Sequence, residues 1–213
     1  MTPRAAGDPD VFLNVPYDPR FLDIFLAYIA GISALGLYPR TTLEIPGGER
    51  RLDRILDLIG SCRSSVHDLS LLAPHASHRQ VPHFKMAFEL GLTVAWDRAH
   101  PGCHTWYAFE TNARRVGSTL SDLSGTDLYI HGGRPAGVFR ELCNAFVRTG
   151  SQPDVRTMKR LYAELKGGLP DILRAAGTRS VFAARVDGHL RIVARAMRTE
   201  LTHPGLGQPS ADE

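Results

Sequence analysis

Short apolar runs alternate with helical periodicities from Val11 to Val147, and this alternation restricts the fold more than any other feature. Val11 to Val15 (VFLNV) reads as a buried strand. Pro16 to Pro19 ends it, because two prolines and an aspartate favour a turn. Phe21 to Leu35 has helical spacing, with Phe21, Ile24, Phe25, Tyr28, Ile29 and Ile32 recurring at threes and fours and Gly36 as the stop. Leu37 to Glu44 is a second extended segment, with Pro39 weakening it as an interior strand. Arg50 to Ser61 reads as a helix with Leu52, Ile55, Leu56 and Ile59 inward, and Ser64 to Leu72 as a strand running into a loop. A helix then starts near Pro82, with Phe84, Phe88 and Leu92 sharing one face and Met86 and Leu90 beside them. Leu92 to Trp96 reads as the start of the next strand, followed by strands at Trp106–Phe109 and Asp127–His131 and a helix over 135–147. Such alternation argues for βαβ units, hence an α/β fold with a mainly parallel sheet flanked by helices.

The alternating part spans residues 11–150, behind a polar, proline-bearing arm at 1–10. Residues 151–200 differ in character and read as a helical extension packed on that domain. Its helices are expected at Val155–Leu165, stopped by Gly167 and Gly168, at Leu169–Ala176, and at Phe182–Met197. The tail, 201–213, is rich in glycine and proline and reads as disordered. A 43% hydrophobic share suits a soluble globular chain, and no apolar run approaches the ~20 residues that span a bilayer. With no apolar signal-peptide core, a cytoplasmic location is expected. Cys62, Cys103 and Cys143 are odd in number and widely spaced, which argues against a disulfide framework or a zinc site. The net charge of +3 comes from scattered arginines, Arg50, Arg51 and Arg54 and the pair Arg114 and Arg115 being the tight groups. That is a poor footprint for nucleic acid.

In open parallel sheets, ligands bind outside the carboxyl ends of the strands. Those ends here carry Tyr17 and Asp18, Leu43 and Glu44, and His67, Asp68 and Ser70. The helix that follows holds Glu89, a lone acid in an apolar run. Acids along one edge suit a sugar-bearing ligand, because carboxylates bind hydroxyls and can attack or stabilise an oxocarbenium-like centre. Arg40, Arg51 and the Gly132–Gly133–Arg134 stretch are candidates for phosphate contact. No GxGxxG follows the first strand, and no Walker motif or GxSxG elbow occurs. His67, His75, His78 and His83 do not share a helical face, so neither a metal nor a cofactor is expected.

The strings FLNVPYD, LYPRTTLE, HDLS, HFKMAFELGL and SDLSGTDLYIH together resemble bacterial TIR-like nucleotide-binding proteins, which are similar in turn to the nucleoside deoxyribosyltransferase fold. The resemblance covers roughly residues 11–148 and implies a flavodoxin-like sheet. It also implies that Glu89 in FELG is the nucleophile at a sugar, Asp68 in HDLS the base contact, and Tyr17 the group that orients the nucleophile. TIR-type enzymes similarly use one glutamate to cleave the nicotinamide–ribose bond of NAD. The expected ligand is therefore a nucleotide, nucleoside or NAD, and the expected activity is cleavage or transfer at an N-glycosidic bond. A role in bacterial stress or defence and a homo-oligomeric state also follow from the resemblance. On this reading the catalytic candidates are Glu89 and Tyr17. The ligand contacts are Asp18, Arg40, Glu44, His67, Asp68, Ser70 and Phe84. Lys85, four residues before Glu89, is placed to pair with it on one helix face. A non-catalytic nucleotide-sensing or self-associating module is the alternative reading.

Overall fold

Strand β1 (Asp10–Asn14) lies inside the sheet, next to the edge strand β2 (Tyr38–Thr41), with the central strand β3 (Ser64–Asp68) on its other side. Beyond β3 come β4 (Thr105–Glu110) and β5 (Leu128–Ile130). Every pairing is parallel and the order is β2-β1-β3-β4-β5, which is the flavodoxin-like order. In register, Leu13 sits between Thr41 and Val66, and Phe109 pairs with Tyr129. Pro39 is tolerated because β2 is an edge strand. The computed structural model describes residues 10–44, 50–70, 84–113, 126–147 and 154–202. Arg114, Arg115, His75, His78 and His83, with nearly all of the N-terminal arm and the C-terminal tail, lie outside the described residues.

The helices are α1 (Leu22–Ala34), α2 (Arg51–Ser61), α3 (Phe84–Ala99), α4 (Pro135–Ala145), α5 (Val155–Ala175) and α6 (Ala184–Thr202). Helix α1 is buried on all sides: every residue from Ile24 to Ala34 is inaccessible or nearly so. A helix that is apolar all round must be enclosed. The sheet covers one side of α1, and α4, α5 and α6 cover the others, within a single continuous apolar cluster. Met158, Leu161, Leu165 and Leu169 of α5, and Val186, Leu190 and Ala194 of α6, belong to that cluster. The C-terminal helices thus share the core of α1.

Helix α5 runs unbroken through Gly167, Gly168 and Pro170, where the sequence suggested a stop. Leu161, Leu165 and Leu169 keep one face in step across the break, and their burial outweighs the helix penalties, about 1 kcal/mol per glycine and about 3 for proline. The extension therefore holds two described helices rather than three.

On the opposite face of the sheet, α2 and α3 cover Phe12 and Ala108. Leu92 to Trp96, expected to open a strand, continues α3. Its alternating pattern comes from two neighbours: Leu92 and Trp96 pack toward α2, Val94 toward β4. The inward face of α3 is Met86, Glu89, Leu90 and Thr93, while Phe84 and Phe88 are 65% and 56% exposed. The face that Phe84 and Phe88 share is thus the outward one. None of the described helices is long and apolar enough to cross a membrane.

The turn from β5 into α4 uses Gly132 and Gly133 at φ 66° and 68°, the left-handed region that favours glycine. Gly137, in the first turn of α4, lies so close to this turn that an added Cβ would meet the His131 carbonyl oxygen at 1.9 Å. Backbone cannot yield as a side chain can. Gly137→Ala is therefore expected to cost about 2–3 kcal/mol in urea unfolding. Gly167→Ala, where a Cβ meets nothing, should add up to about 1 kcal/mol.

Candidate functional site

The sequence places three polar groups, His67, Asp68 and Ser70, at the carboxyl end of β3, and the fold turns all three inward. Asp68 is fully buried. Its Oδ2 accepts from the Tyr28 hydroxyl of α1 at 2.7 Å and lies 3.2 Å from His131 Nε2, and its Oδ1 accepts from the Ser70 backbone N–H at 3.0 Å. Burial pushes this carboxyl up, but the contacts from His131, Ser70 and Tyr28 outweigh it and hold it below its ordinary value. The Gly133 N–H occupies His131 Nδ1 at 3.1 Å, which leaves Nε2 to donate to Asp68 and to Ser70 Oγ at 3.1 Å. Asp68 and Ser70 thus meet the same imidazole nitrogen. A hydrolytic triad needs them on opposite nitrogens, so these residues do not form one.

His67 belongs to a second internal chain on the α2–α3 side. His104 Nδ1 lies 2.9 Å from the Cys62 carbonyl and must donate to it, so its Nε2 accepts from the Ser65 hydroxyl at 2.9 Å. Ser65 Oγ then accepts from His67 Nε2 at 2.9 Å, and His67 Nδ1 accepts from the Asn14 amide at 2.9 Å. The second Asn14 N–H reaches the Met86 carbonyl at 3.1 Å. Each hydrogen has one place to go, and both histidines are held uncharged. Burial pushes His67 down to about 3, with the nearby His104 adding to the effect. Asn14 Oδ1 is left buried without a partner.

Asp18 caps the short turn at Pro19–Phe21 and pairs with Arg20. Arg40 and Glu44 pair with one another, and also with Asp10 and with Arg191 of α6 respectively. Phe84 points outward on α3.

What converges at the carboxyl edge is a different group, built around Tyr17, Thr42, Lys85 and Glu89. The half-buried Tyr17 hydroxyl lies 3.0 Å from Thr42 Oγ1 and accepts the Thr42 N–H at 3.1 Å. Its ring packs on Phe182, just before α6. Lys85 Nζ sits 5.1 Å from the centre of that ring, 3.4 Å from Thr42 Oγ1 and 3.4 Å from Glu89 Oε1. Arg51, in the first turn of α2, reaches Thr42 Oγ1 at 3.3 Å. Glu89 is 1% exposed, and neither carboxyl oxygen has a hydrogen bond; Lys85 offers an ion pair beyond good hydrogen-bond length. Burial pushes the Glu89 carboxyl up, with Lys85 and Arg51 only partly opposing it, and burial pushes the Lys85 ammonium down. Asp187 of α6 stands behind Tyr17. It is fully buried, with Oδ2 held at 3.0 Å by both Thr41 Oγ1 and Arg191 Nε and Oδ1 unpartnered.

The fold therefore brings Glu89 and Tyr17 to one place and leaves Asp68, His67 and Ser70 inside. Sequence reasoning missed Thr42, Asp187 and Asn14. Asn14 carried a signal, a lone amide in the apolar run VFLNV; Asp187, among the arginines of α6, carried none. Among the described residues, no three His, Cys, Asp or Glu converge as metal ligands. A cleft of ≈ 190 Å³ at the amino ends of β3 and β4, lined by Arg63, Tyr107 and Phe146, is at the other edge of the sheet. No family model, curated protein or solved structure matches this chain.

A carboxyl whose folded-state pKa is raised favours the fold while protonated, and that contribution is lost as pH rises through the folded value. Gln at position 89 keeps the shape without the charge. Glu89→Gln is expected to raise unfolding stability at pH 7 by about 1 kcal/mol, with the gain fading as pH falls from the raised folded value of Glu89 to the ordinary glutamate value. Urea unfolding across pH 4 to 8 checks this; a loss of stability at pH 7 would mean that the Lys85 pair outweighs the desolvation.

Proposed function

We propose that the protein binds a nucleotide-like ligand at the carboxyl edge beside β1 and β2 and acts at its N-glycosidic bond, with a nucleoside, nucleotide or NAD as substrate. One observation carries this reading: Glu89 is a buried carboxyl without a hydrogen bond, beside Tyr17 and two cations, at the edge where flavodoxin-like sheets bind ligands. An unsatisfied buried carboxylate is costly and is the kind of group a site retains for a ligand.

In the proposed reaction the bond between the anomeric carbon and the base nitrogen breaks, and its electron pair leaves with the base. Glu89 stabilises the positive charge that develops on the sugar or bonds to the anomeric carbon. Water or an acceptor base then takes that position. Tyr17, anchored through Thr42, orients the sugar, and Lys85 and Arg51 suit a phosphate group. Asp68 has no part in this scheme, because its oxygens serve Tyr28, Ser70 and His131. The strings that resemble TIR-like and deoxyribosyltransferase proteins imply the same substrate class.

One observation favours a non-catalytic nucleotide-sensing module instead, namely the Lys85 ion pair on Glu89. That reading also calls for a surface Glu89, and the carboxyl is 1% exposed.

Incubation with NAD and a panel of nucleosides and nucleotides, read by mass spectrometry, separates the two. The expected result is a free base with the wild type and a rate at least about 100-fold lower with Glu89→Gln. Ligand binding without base release from any substrate would sink the catalytic reading and leave the sensing module.

A further inference from the structure

Among the described residues, the buried side-chain oxygens that lack a hydrogen bond belong to three residues at the carboxyl edge. They are Asn14 Oδ1, both oxygens of Glu89, and Asp187 Oδ1. A buried acceptor without a donor is costly, and interiors hold few of them. Here they gather at the ends of β1 and β2. Asp187 stands behind Tyr17, bonded to Thr41. Asn14 and Glu89 belong together on the other face of the sheet. Alternation along β1 turns Val11 and Leu13 toward α1, and Phe12 and Asn14 toward α2 and α3. Asn14 Nδ2 reaches the Met86 carbonyl at 3.1 Å, and Met86 and Glu89 share the inward face of α3. A helix carbonyl points along the axis toward the following turn, which sets the Asn14 amide level with Glu89.

The Asn14 amide cannot turn over. The Met86 carbonyl only accepts, and His67 Nδ1 takes the other N–H at 2.9 Å. Oδ1 is thereby fixed as an acceptor with nothing to accept. In the reaction proposed above, one Glu89 oxygen serves the anomeric carbon. Two acceptors then remain on this side of the sugar, the second Glu89 oxygen and Asn14 Oδ1. In a β-nucleoside the carboxylate meets the anomeric carbon on the face opposite the departing base. A ribose carries both its 2′- and 3′-hydroxyls on that face, whereas a 2′-deoxyribose carries one. Two donors match two acceptors. We propose that the sugar of the ligand is a ribose, and that Asn14 Oδ1 accepts one of its two ring hydroxyls and makes the site select ribosides over 2′-deoxyribosides.

This assignment rests on the reading of Glu89 as the group at the anomeric carbon, and it narrows the substrate class of that site. Selection follows from burial. A site built to hydrogen-bond a hydroxyl rejects the analogue that lacks it, because a desolvated acceptor is then left unpaired. Asn14 and Glu89 are both buried, so solvent does not make up the missing bond. The rest of the Asn14 side chain has no freedom to adapt, since both of its N–H groups are engaged. A water bridging Asn14 and Glu89 is the other way to satisfy these oxygens, and it would be indifferent to the sugar.

Calorimetric titration of the full chain with methyl β-D-ribofuranoside 5-phosphate, and with its 2-deoxy and 3-deoxy forms, tests it. These probes keep the closed ring and the phosphate and have no base to release, so binding is read apart from turnover. The ribose form should bind, and each deoxy form at least about tenfold more weakly. In Asn14→Ala the penalty for one of the two missing hydroxyls should fall to within about threefold, with the other retained. Each ratio comes from one protein sample, so a lower stability of the variant does not change it, and circular dichroism checks that it is folded. The wild-type series decides the matter even where the variant does not fold. Equal binding of the ribose and 2-deoxy forms overturns the proposal, gives the two oxygens to water and leaves the nucleotide site standing. An Asn14→Ala protein that keeps both penalties overturns the part given to Asn14. Binding of none of the three at up to about 10 mM overturns the proposal together with the ligand site itself. Selective binding of the ribose form with no base released from any nucleotide upholds it while the catalytic reading fails.

Discussion

The enclosure of α1 is the constraint on which the rest of the structure depends. Ile24 through Ala34 are apolar or small almost without interruption, so this helix has no face that water can solvate. A sheet covers only one side of a helix. The remaining sides need helices from elsewhere in the chain, and α4, α5 and α6 provide them. The C-terminal segment is thereby a layer of the domain, and Phe182 and Asp187 bring it against Tyr17 and Thr41 at the carboxyl edge. Gly31 shows how closely these layers meet: an added Cβ there would lie 2.5 Å from Leu142 of α4.

The polar residues of the sheet follow from that enclosure. Tyr28 is buried in the middle of α1 and needs a partner for its hydroxyl, and Asp68 at the end of β3 provides it. His131 and Ser70 complete the Asp68 shell and tie β5 and the start of α4 to the same point. On the other face, Asn14, His67, Ser65 and His104 satisfy one another in a chain that ends on a backbone carbonyl. Both networks are nearly complete, and complete networks fix one arrangement. Glu89 stands apart from them. It lies inside, carries no hydrogen bond, and is opposed by a cation that is itself partly desolvated. That contrast, more than the presence of acids at the edge, makes the Glu89 surroundings the candidate site.

Much of the fold was legible in the sequence. Period-two and period-3.6 patterns gave the parallel sheet and most helices, because burial of one face leaves a direct trace in residue order. Two elements were misread for reasons that lie in tertiary contact. Leu92 to Trp96 alternates because α3 touches α2 on one flank and β4 on the other, and α5 ignores its glycines because α1 holds both halves in line. At the edge, Glu89 and Tyr17 were legible as candidates, while Asp68, His67 and Ser70, read as ligand contacts at a strand end, are buried in the fold. Their partners decide which way they face. Tyr28 lies 40 residues from Asp68, His131 lies 61 from Ser70, and Asn14 lies 53 from His67. No local pattern carries that information. Phe84 and Phe88 share a face, as the spacing required, but spacing alone did not say whether that face meets the core or water.

The state of the Glu89 carboxyl tests the account most directly. Carbon-detected NMR titration of a sample labelled at the glutamate side chains, with Glu89→Gln to assign the resonance, reads its midpoint in the folded protein. The account predicts a midpoint above the ordinary glutamate value, since burial outweighs Lys85 and Arg51. A midpoint at or below that value would contradict it, because it would make Glu89 a satisfied partner of Lys85 rather than a carboxyl held for a ligand.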